Sequence, residues 1–483
     1  MDKTDETKPL FGLETGDRIY FIGIGGYSMC GLAQICLNAG YIVAGSDKEA
    51  SHRTLQLQNL GIQVFNGHEG HHMEDFKPHC VVYTAAIPKD NPELTKAFDL
   101  AIPAYERSAF LGGIDRLFSR IINISGTHGK TTVTTMCALI LEESGLDPTA
   151  HIGAEVKAWN STVRIGKNHD ILVSEACEYN SSFLQFASTT AAILNIDHDH
   201  VDCFPTIGDV IDVFARFACT VPPEGYLVIP SFDPNITKML DQVRICKEGI
   251  PEEMPTLVSF GRENDLFNGK KPDFYISYYH LTDGYPSFDV YKYGKFFCHI
   301  DMVIPGEHNA MNALAAIACS VQNGATPDAC VEVLSHFHGA DNRFTDCGKF
   351  RGATVIADYA HHPSAIRASY NAARSISTGR VWTVFQPITY NRAIGLFDEF
   401  VKALTQCHFP MLFEVYTSRE TNDNGFSSKM ICDRIIESGG QSIFLTSYDE
   451  LRKELDARVS PGDIILIMGP EGMKQYAQRL VKE

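Results

Sequence analysis

The 483-residue chain lacks several features that would place it in other classes of protein. No run of apolar residues approaches the roughly 18–20 that a membrane-spanning helix needs, so membrane insertion is not expected. The 41 basic residues are outnumbered by 59 acidic ones, which argues against nucleic-acid binding. The first seventeen residues are polar and charged, so no signal peptide is expected. A small anionic ligand stays compatible with the net charge of −18, because a local site can be positive in an acidic protein.

Cysteine is present but forms no metal or redox motif. The fourteen cysteines are scattered without a Cys-x-x-Cys pair, which favours reduced thiols and a cytoplasmic location. A hydrophobic content of 44% and a charged content of 21% are typical of a globular protein. At about 150 residues per domain, the length predicts three domains.

The stretch Gly126-Thr127-His128-Gly129-Lys130-Thr131-Thr132 predicts a phosphate-binding loop. It lies between an apolar strand at 120–124 and a predicted helix, so backbone N–H groups and the positive helix end face an anion. In such loops the Lys reaches the outer phosphates and the Thr hydroxyl ligates Mg²⁺. The usual loop begins with a Gly where Ile124 stands here. The alternative is therefore an ordinary strand-to-helix turn with an exposed Lys.

A second glycine-rich turn follows the predicted strand at the start of the chain. Gly23, Gly25 and Gly26 precede a predicted helix at 29–39 and a strand that ends at Ser46-Asp47. An acidic residue about 20 positions after such glycines is typical of a dinucleotide site. The dinucleotide fingerprint requires Gly at position 28, where this chain has Ser28. A nucleotide-like ligand on a diphosphate and a ligand-free tight turn both stay open.

Small residues also end the next predicted strand, at 80–86. Thr84 and Ala85 lie at its end, and Arg107 comes just before a helical stretch. Small side chains there permit close approach of a ligand, although simple turn packing would give the same pattern. We place the end of the first domain near Arg116.

Carboxylates and histidines follow two later strands, predicted at 170–178 and near 191–196. Since parallel strands present their carboxyl ends at one edge of a sheet, Glu175, Asp199, His200 and Asp202 are expected on one rim with Lys130. Oxygen ligands of this kind suit Mg²⁺. A zinc site at His198 and His200, or a solvated loop, is the alternative.

Short alternating segments at 231–300, with turns at Asp283-Gly284 and Tyr293-Gly294, predict antiparallel strands added to the sheet. A helix is expected from Pro305. Asn309 and Asn312 would share one of its faces, where paired amides read a purine edge or simply cap the helix start.

The last part of the chain predicts another small α/β domain. Three strand-loop-helix repeats follow a linker at 339–344, and the first of them carries His361-His362-Pro363. The histidines serve either chemistry or plain cleft polarity. The complete expectation is an α/β chain with a Rossmann-like domain at 1–116, a central ATPase-type domain at 117–340 and a C-terminal Rossmann-like domain at 341–483. The central domain combines a mostly parallel sheet with a small antiparallel one.

The order of these motifs resembles the Mur ligase family over nearly the whole chain. The phosphate loop is followed by E-A-C-E-Y-N-S-S-F-L, N-I-D-H-D-H-V-D, P-G-E-H-N-A-M-N-A-L-A-A and D-Y-A-H-H-P. The N-terminal F-I-G-I-G-G-Y-S-M-C-G-L-A and A-A-I-P-K-D-N-P-E-L are similar to the branch that adds L-alanine to UDP-N-acetylmuramate.

The resemblance implies a cytoplasmic ligase of peptidoglycan precursor synthesis that uses ATP and Mg²⁺. It implies that ATP converts the lactyl carboxylate of UDP-N-acetylmuramate to an acyl phosphate, which the amine of L-alanine then attacks. A monomer or a homodimer is expected. The implied catalytic residues are Lys130, His200 and Arg343, and the implied metal ligands are Thr131, Glu175 and His200. The implied ATP contacts are Gly126, Thr127, His128, Gly129, Lys130, Thr131, Thr132, Asn309, Asn312, Arg343 and Asp358. The implied contacts to the UDP-sugar are Gly23, Gly25, Gly26, Ser46, Asp47, Thr84, Ala85 and Arg107.

The chain departs from the family pattern at a few positions. They are Asn342 and Ile388, where Arg and His are usual, the Gly469-Pro470-Glu471-Gly472 turn, and Ala109, where Glu is expected. These departures motivate an alternative, a family member that uses another amino acid or a preformed peptide. Two further alternatives are a nicotinamide-dependent oxidoreductase built on the first domain and a regulator that binds ATP without turnover.

Overall fold

The computed structural model describes residues 10–84, 86–247, 250, 253–417 and 420–482, and it divides into two compact units. The first unit takes residues up to Ile196, Ile211–Val258 and Ala316–Thr326. The second takes Asp197–Val210, Ser259–Ala315 and the chain from Pro327 onward. No helix among the described residues is both long and apolar enough to cross a bilayer.

The first sheet of the first unit is parallel, with strand order β3-β2-β1-β4-β5. Its strands are β1 (Arg18–Ile22), β2 (Ile42–Asp47), β3 (Gln63–Asn66), β4 (Cys80–Tyr83) and β5 (Ala104–Glu106). Its helices are α1 (Tyr27–Asn38), α2 (His52–Asn59), α3 (His71–Phe76), α4 (Pro92–Asp99) and α5 (Arg107–Asp115). Both the strand-turn-helix at Gly23 and the end of β2 at Asp47 agree with the sequence prediction.

The second sheet of this unit carries the phosphate loop. Its strands are β6 (Arg120–Ser125), β7 (Thr149–Val156), β8 (Ser161–Arg164), β9 (Ile171–Glu175), β10 (Thr190–Ile193) and β11 (Tyr226–Pro230). They run in the order β11-β10-β6-β9-β7-β8 and are parallel except for the β7–β8 pair. The helices are α6 (Lys130–Glu143), α7 (Ile207–Cys219) and α8 (Pro234–Cys246). Because β6 lies inside the sheet, its carboxyl end projects the loop toward the ends of β9 and β10.

Helix α8 corrects the sequence prediction, which gave strands from residue 231. Asp233 caps this helix through its side chain, which accepts a hydrogen bond from the Asn235 N–H, and Pro234 occupies the first helical turn. Both are helix-start signals that outweigh a short alternating pattern.

The antiparallel hairpins and both of their predicted turns are present, and they belong to the second unit. The strands of this part of the chain are β12 (Thr256–Arg262), whose residues up to Val258 belong to the first unit, β13 (Phe274–Thr282), β14 (Tyr285–Lys292) and β15 (Lys295–Asp301). The β13–β14 and β14–β15 pairs are antiparallel, and β12–β13 is parallel. Both turns use positive φ angles, 52° and 88° at Asp283-Gly284 and 49° and 76° at Tyr293-Gly294, which two-residue hairpins need.

The remaining sheet of the second unit has the order β16-β17-β21-β18-β19-β20 and is parallel except for β16–β17. The strands are β16 (Thr345–Phe350), β17 (Ala353–Asp358), β18 (Val381–Phe385), β19 (Met411–Leu412), β20 (Ile443–Phe444) and β21 (Ile464–Met468). The helices that follow β15 in the chain are α9 (Glu307–Gln322), whose residues from Ala316 onward belong to the first unit, α10 (Pro327–Ser335), α11 (Pro363–Ile376), α12 (Tyr390–Gly395), α13 (Phe397–Thr405), α14 (Lys429–Glu437), α15 (Tyr448–Arg458) and α16 (Glu471–Lys482).

Apolar side chains cover both faces of this sheet. Along β17, Ile356 packs into one core cluster, whereas Val355 and Ala357 pack into the other. Helices must therefore lie on both sides, which is the doubly wound arrangement that the sequence predicts. The α/β fold class is confirmed.

Candidate active site

The phosphate loop has the strand-loop-helix form that the sequence predicts. β6 ends at Ser125, α6 begins at Lys130, and both glycines of the loop have positive φ, 134° at Gly126 and 86° at Gly129. A Cβ on Gly126 would lie 3.0 Å from the backbone nitrogen of Leu194, so no side chain fits there. The glycines are therefore required by the path of the loop.

Asn195, just past the end of β10, holds the loop from the side. Its backbone oxygen accepts from the Thr127 N–H at 3.2 Å, and its side-chain Oδ1 accepts from the His128 N–H at 2.8 Å. Its Nδ2 donates to the His128 carbonyl at 3.0 Å. The sequence analysis gave Asn195 no role, because contacts to a loop 67 residues away are not visible in a local pattern.

Lys130 lies in the loop with a buried carboxylate as its partner. Its Nζ donates to Glu178 Oε2 at 2.8 Å and to the carbonyl oxygens of Gly126 and Thr127 at 2.5 and 3.3 Å. Glu178 is only 2% exposed. Burial alone would lower the pKa of Lys130, but the Glu178 carboxylate outweighs it and the pKa is raised. Glu178 therefore favours the protonated form of Lys130, and it is a contact of the loop that the sequence analysis missed.

Thr131 and Glu175, the predicted metal ligands of this unit, lie together. Thr131 Oγ1 donates to Glu175 Oε2 at 3.2 Å, while Glu175 Oε1 accepts from the Gly153 N–H at 2.7 Å. Thr132, next in α6, is buried. A hydroxyl and a carboxylate are hard oxygen donors, so these residues fit Mg²⁺.

The glycines of the first sheet border a cavity of about 820 Å³. Gly23, Gly25, Gly26, Asp47 and Thr84, which the sequence analysis gave as contacts of a UDP-sugar, line this cavity. The lining also contains Arg53 and His68, which the sequence analysis did not single out. A cavity of this volume accommodates a ligand of nucleotide size.

Two of the predicted UDP-sugar contacts do not line the cavity, and the structure does not describe a third. Ser46 is fully buried and does not line the cavity. Arg107 is also absent from the lining, and its Nη1 donates to Ser28 Oγ at 3.2 Å. Ala85 lies outside the described residues.

Ser46 belongs to a buried polar cluster around Glu93. The Glu93 carboxylate accepts from Tyr20 Oη at 2.7 Å and from Ser46 Oγ at 2.5 Å, and it also contacts His68 and His72 at 3.0 and 2.7 Å. Burial and the nearby Glu93 charge raise the pKa of Tyr20. His68 therefore connects this cluster to the cavity wall.

In the second unit, the segment after β10 is fixed by a buried ion pair. Arg392 donates from Nε to Asp199 Oδ1 at 2.6 Å and from Nη2 to Oδ2 at 3.2 Å. Burial would raise the pKa of Asp199, but Arg392 outweighs it and holds this pKa well below its usual range. His200, the next residue, has a positive φ of 52°, an unusual conformation that the flanking contacts maintain.

The histidine pair of the same unit contacts this segment. His362 caps α11, and its Nε2 lies 3.2 Å from the carbonyl oxygen of His198. Ser364 Oγ donates to Asp197 Oδ2 at 2.7 Å. His361 is half-buried, and desolvation together with the charge of Arg392 keeps its pKa well below the usual value.

Asp358 and Arg343 lie near each other where β17 ends. Burial raises the pKa of Asp358, although a hydrogen bond from Ser369 and the charge of Arg343 oppose this effect. The Arg343 guanidinium lies 4.9 Å from the centre of the Tyr359 ring. The aromatic ring holds the Arg343 side chain in place.

Asn309 and Asn312 share one face of α9, as predicted. Asn312 Nδ2 donates to Asn309 Oδ1 at 3.4 Å, and Asn309 Nδ2 donates to the Pro305 carbonyl at 2.7 Å. The second bond is a helix-start contact, which is one of the two roles that the sequence left open.

The chain is similar to proteins of one known family, both in sequence and in structure. The chain matches the family models described as Mur ligase family, catalytic domain (residues 18–119), Mur ligase middle domain (124–320) and Mur ligase, glutamate ligase domain (342–470). It is 38% identical to the UDP-N-acetylmuramate–L-alanine ligases of Clostridium novyi and Acetivibrio thermocellus. These alignments cover 94% and 96% of this chain and 95% and 96% of the relatives. A crystal structure of UDP-N-acetylmuramate–alanine ligase from Thermotoga maritima superimposes with a TM-score of 0.76 at 26% identity, covering 96% of this chain and 98% of that one.

Proposed function

The chain belongs to the Mur ligase family, and from this premise we propose that it joins L-alanine to UDP-N-acetylmuramate at the expense of ATP. The observation that carries the proposal is the presence, in one compact unit, of a phosphate loop in which Lys130 pairs with the buried Glu178, and of a separate glycine-lined cavity of nucleotide size. One of these features suits ATP and the other suits a nucleotide-sugar acceptor. The product is an intermediate of peptidoglycan synthesis.

The choice of L-alanine rests on the relatives. The curated proteins at 36–38% identity over about 95% of the chain are named as L-alanine ligases. A family member that uses another amino acid or a preformed peptide is not favoured, in spite of the departures at Asn342, Ile388, Ala109 and Gly469–Gly472.

The reaction needs an activated carboxylate, because a free carboxylate is a poor electrophile. A lactyl carboxylate oxygen attacks the γ-phosphorus of ATP, ADP leaves, and an acyl phosphate forms. The alanine amine then attacks the carbonyl carbon, and the tetrahedral intermediate expels inorganic phosphate to leave the amide. The protein must bring several anionic groups together, so its main task is to offset their repulsion.

We assign the neutralising charge in the first unit to Lys130, with Gly126, Thr127, His128, Gly129 and Thr132 forming the loop around the phosphates. Thr131 and Glu175 are the proposed Mg²⁺ ligands of this unit, and His200 is the proposed ligand of a second position. Bound Mg²⁺ would supply positive charge to the transferring phosphoryl group. Glu178 keeps Lys130 protonated and oriented.

In the second unit we assign Arg343 and Asp358 to ATP, and Asn309 and Asn312 to its adenine. The UDP-sugar contacts proposed in the cavity are Gly23, Gly25, Gly26, Asp47 and Thr84. Ser46 would act indirectly, through His68, and Arg107 through Ser28. A cytoplasmic location and a monomeric or homodimeric state complete the proposal.

The test is phosphate release from ATP and Mg²⁺ with UDP-N-acetylmuramate, measured with and without L-alanine. Release that needs both co-substrates, and a product heavier by one alanyl residue, is the expected result. Omission of Mg²⁺ and the Lys130→Ala variant should each abolish release. Release that is stimulated by UDP-N-acetylmuramate but not by alanine would refute the amino-acid assignment. In that case glycine, L-serine and short peptides are the next candidates.

A further inference from the structure

The glycine-lined cavity of the first unit contains charges of both signs. Asp47, Glu49 and Asp90 line it together with the cations Lys48 and Arg53. A nucleoside diphosphate brings about two further negative charges, so this wall needs a positive group at the diphosphate. Which group supplies that charge is not evident from the glycine motif.

The backbone of the glycine turn is already hydrogen-bonded inside the protein. Four successive N–H groups each have a protein acceptor, so they are not open to an anion as they would be in a typical phosphate loop. The bonds are Gly23 N to Ser46 O at 2.8 Å, Ile24 N to Ser46 O at 2.9 Å, Gly25 N to Asp47 Oδ2 at 2.8 Å and Gly26 N to Gly23 O at 3.2 Å. The glycines allow close packing instead: a Cβ on Gly25 would lie 2.8 Å from Asp47 Oδ2.

Arg53 is the cation that the structure holds at this turn. It lies in the first turn of α2, which Ser51 and Thr54 fix through a reciprocal capping box. Arg53 Nε donates to the Gly25 carbonyl at 2.7 Å, and its guanidinium carbon lies 3.9 Å from the centre of the Tyr27 ring. The Glu155 carboxylate lies 3.9 Å from Nη1, beyond hydrogen-bond distance. The guanidinium is therefore oriented in advance by its Nε and by the ring.

We propose that Arg53 binds the diphosphate of the UDP-sugar through its terminal N–H groups. A guanidinium presents two parallel donors that match phosphate oxygens, and orienting it before binding lowers the entropic cost. Lys48, the other cation that lines the cavity, is exposed, and none of the residues that the structure describes anchors it in this way. The inference rests on the proposed function for the identity of the sugar, but its charge argument needs only a uridine diphosphate in this cavity.

The experiment compares UDP with uridine, two probes that differ only in the diphosphate, by calorimetric titration of the full chain. In Arg53→Met the Kd for UDP should rise on the order of 10- to 100-fold, as expected for the loss of charged hydrogen bonds, while the Kd for uridine stays unchanged. Arg53→Lys keeps the charge but lacks the two parallel donors, so its Kd for UDP should lie between those of the wild type and Arg53→Met. In turnover, Arg53→Met should raise KM for UDP-N-acetylmuramate and leave KM for ATP unchanged.

Arg18→Met is the matched control. Arg18 also donates from Nε to a backbone carbonyl, that of Lys77 at 2.8 Å, and it does not line the cavity. This variant should bind both probes like the wild type. If Arg53→Met binds UDP and uridine more weakly by the same factor, the role of Arg53 is purely structural and the inference is overturned. Unchanged binding of UDP by this variant, or a wild type that does not bind UDP, would overturn it as well. A wild type that binds UDP without ligating alanine would instead reject the proposed function alone.

Discussion

The buried pair of Asp199 and Arg392 should be one of the strongest single electrostatic contacts in the second unit. Asp199 is 5% exposed and the Arg392 side chain 9% exposed, and two hydrogen bonds join them. Asp199→Asn removes the negative charge but leaves the guanidinium buried. Because that charge then lacks a partner, we expect a loss of about 3–5 kcal/mol in the free energy of unfolding of this unit.

The double variant distinguishes a buried pair from two independent contributions. Arg392→Met alone should lower the free energy of unfolding by a similar amount, because it leaves the Asp199 carboxylate buried without its charged partner. Asp199→Asn with Arg392→Met removes both charges, so it should cost at least about 2 kcal/mol less than the sum of the two single variants. Asp433→Asn is the control: Asp433 pairs with Lys429 at 2.6 Å, but the two side chains are 50% and 59% exposed. That exposure limits the control to about 1 kcal/mol or less.

Tryptophan fluorescence gives an assay that reports on the correct unit. The chain has two tryptophans, and Trp382 is 3% exposed in the core of the sheet built from β16 to β21. In a Trp159→Phe background, urea unfolding followed by fluorescence therefore monitors the unit that holds Asp199 and Arg392. Effects that add within about 0.5 kcal/mol would refute the coupling.

The same pair predicts how stability depends on pH. The pKa of Asp199 is depressed in the folded protein, so its contribution is present above the unfolded value of about 3.9. It is lost as the pH falls through the folded pKa. Asp199→Asn should therefore have a flatter acid limb than the wild type. An unchanged acid limb would contradict the assigned ionisation.

Two further predictions concern the first unit. Gly25→Ala should weaken UDP binding about tenfold or more and destabilise the unit by about 1–3 kcal/mol, because the added Cβ overlaps Asp47. Gly472→Ala should do neither in the same titration, because no described residue outside its own helical turn lies within 4 Å of the new Cβ. Burial raises the pKa of Asp115 in the folded protein to about 7, whereas the unfolded carboxyl has a pKa of about 3.9. Between about pH 4 and 7 the unfolded state therefore loses this proton before the folded state does, and the stability of the wild type should decline as the pH rises. Asp115→Asn should remove this decline. Urea unfolding across this pH range checks the second prediction, and a wild-type curve that is flat there would contradict it.

Much of the fold and part of the site could be predicted from local sequence. The Lys130 loop, the end of β2 at Asp47 and the turn at Asp283-Gly284 each depend on residue types within a few positions of one another. Backbone conformation explains this success, because a glycine with positive φ or a helix start leaves a signature where it occurs. The predicted domain boundaries at 116/117 and 340/341 remain predictions.

Contacts between distant segments could not be predicted in this way. Lys130 meets Glu178 across 48 positions, and Arg53 meets Gly25 across 28. Glu178 stood in the sequence as one carboxylate among several, with nothing to distinguish it from Glu175. Ser46 was predicted as a ligand contact because it precedes Asp47. Side chains alternate along a strand, however, and that of Ser46 points to the buried cluster around Glu93. Such side chains are assigned by packing, which a linear pattern does not record.

The satisfied amides of the glycine turn also have a consequence for inhibitor design. Since Gly23, Ile24, Gly25 and Gly26 donate to protein acceptors without a ligand, the turn keeps its shape in the empty enzyme. A compound that enters the cavity does not spend binding energy on ordering this wall. Rigid uridine mimics with a neutral linker in place of the diphosphate should therefore retain the affinity that comes from shape. Such mimics would lose only the part of the affinity that comes from the charge of the diphosphate.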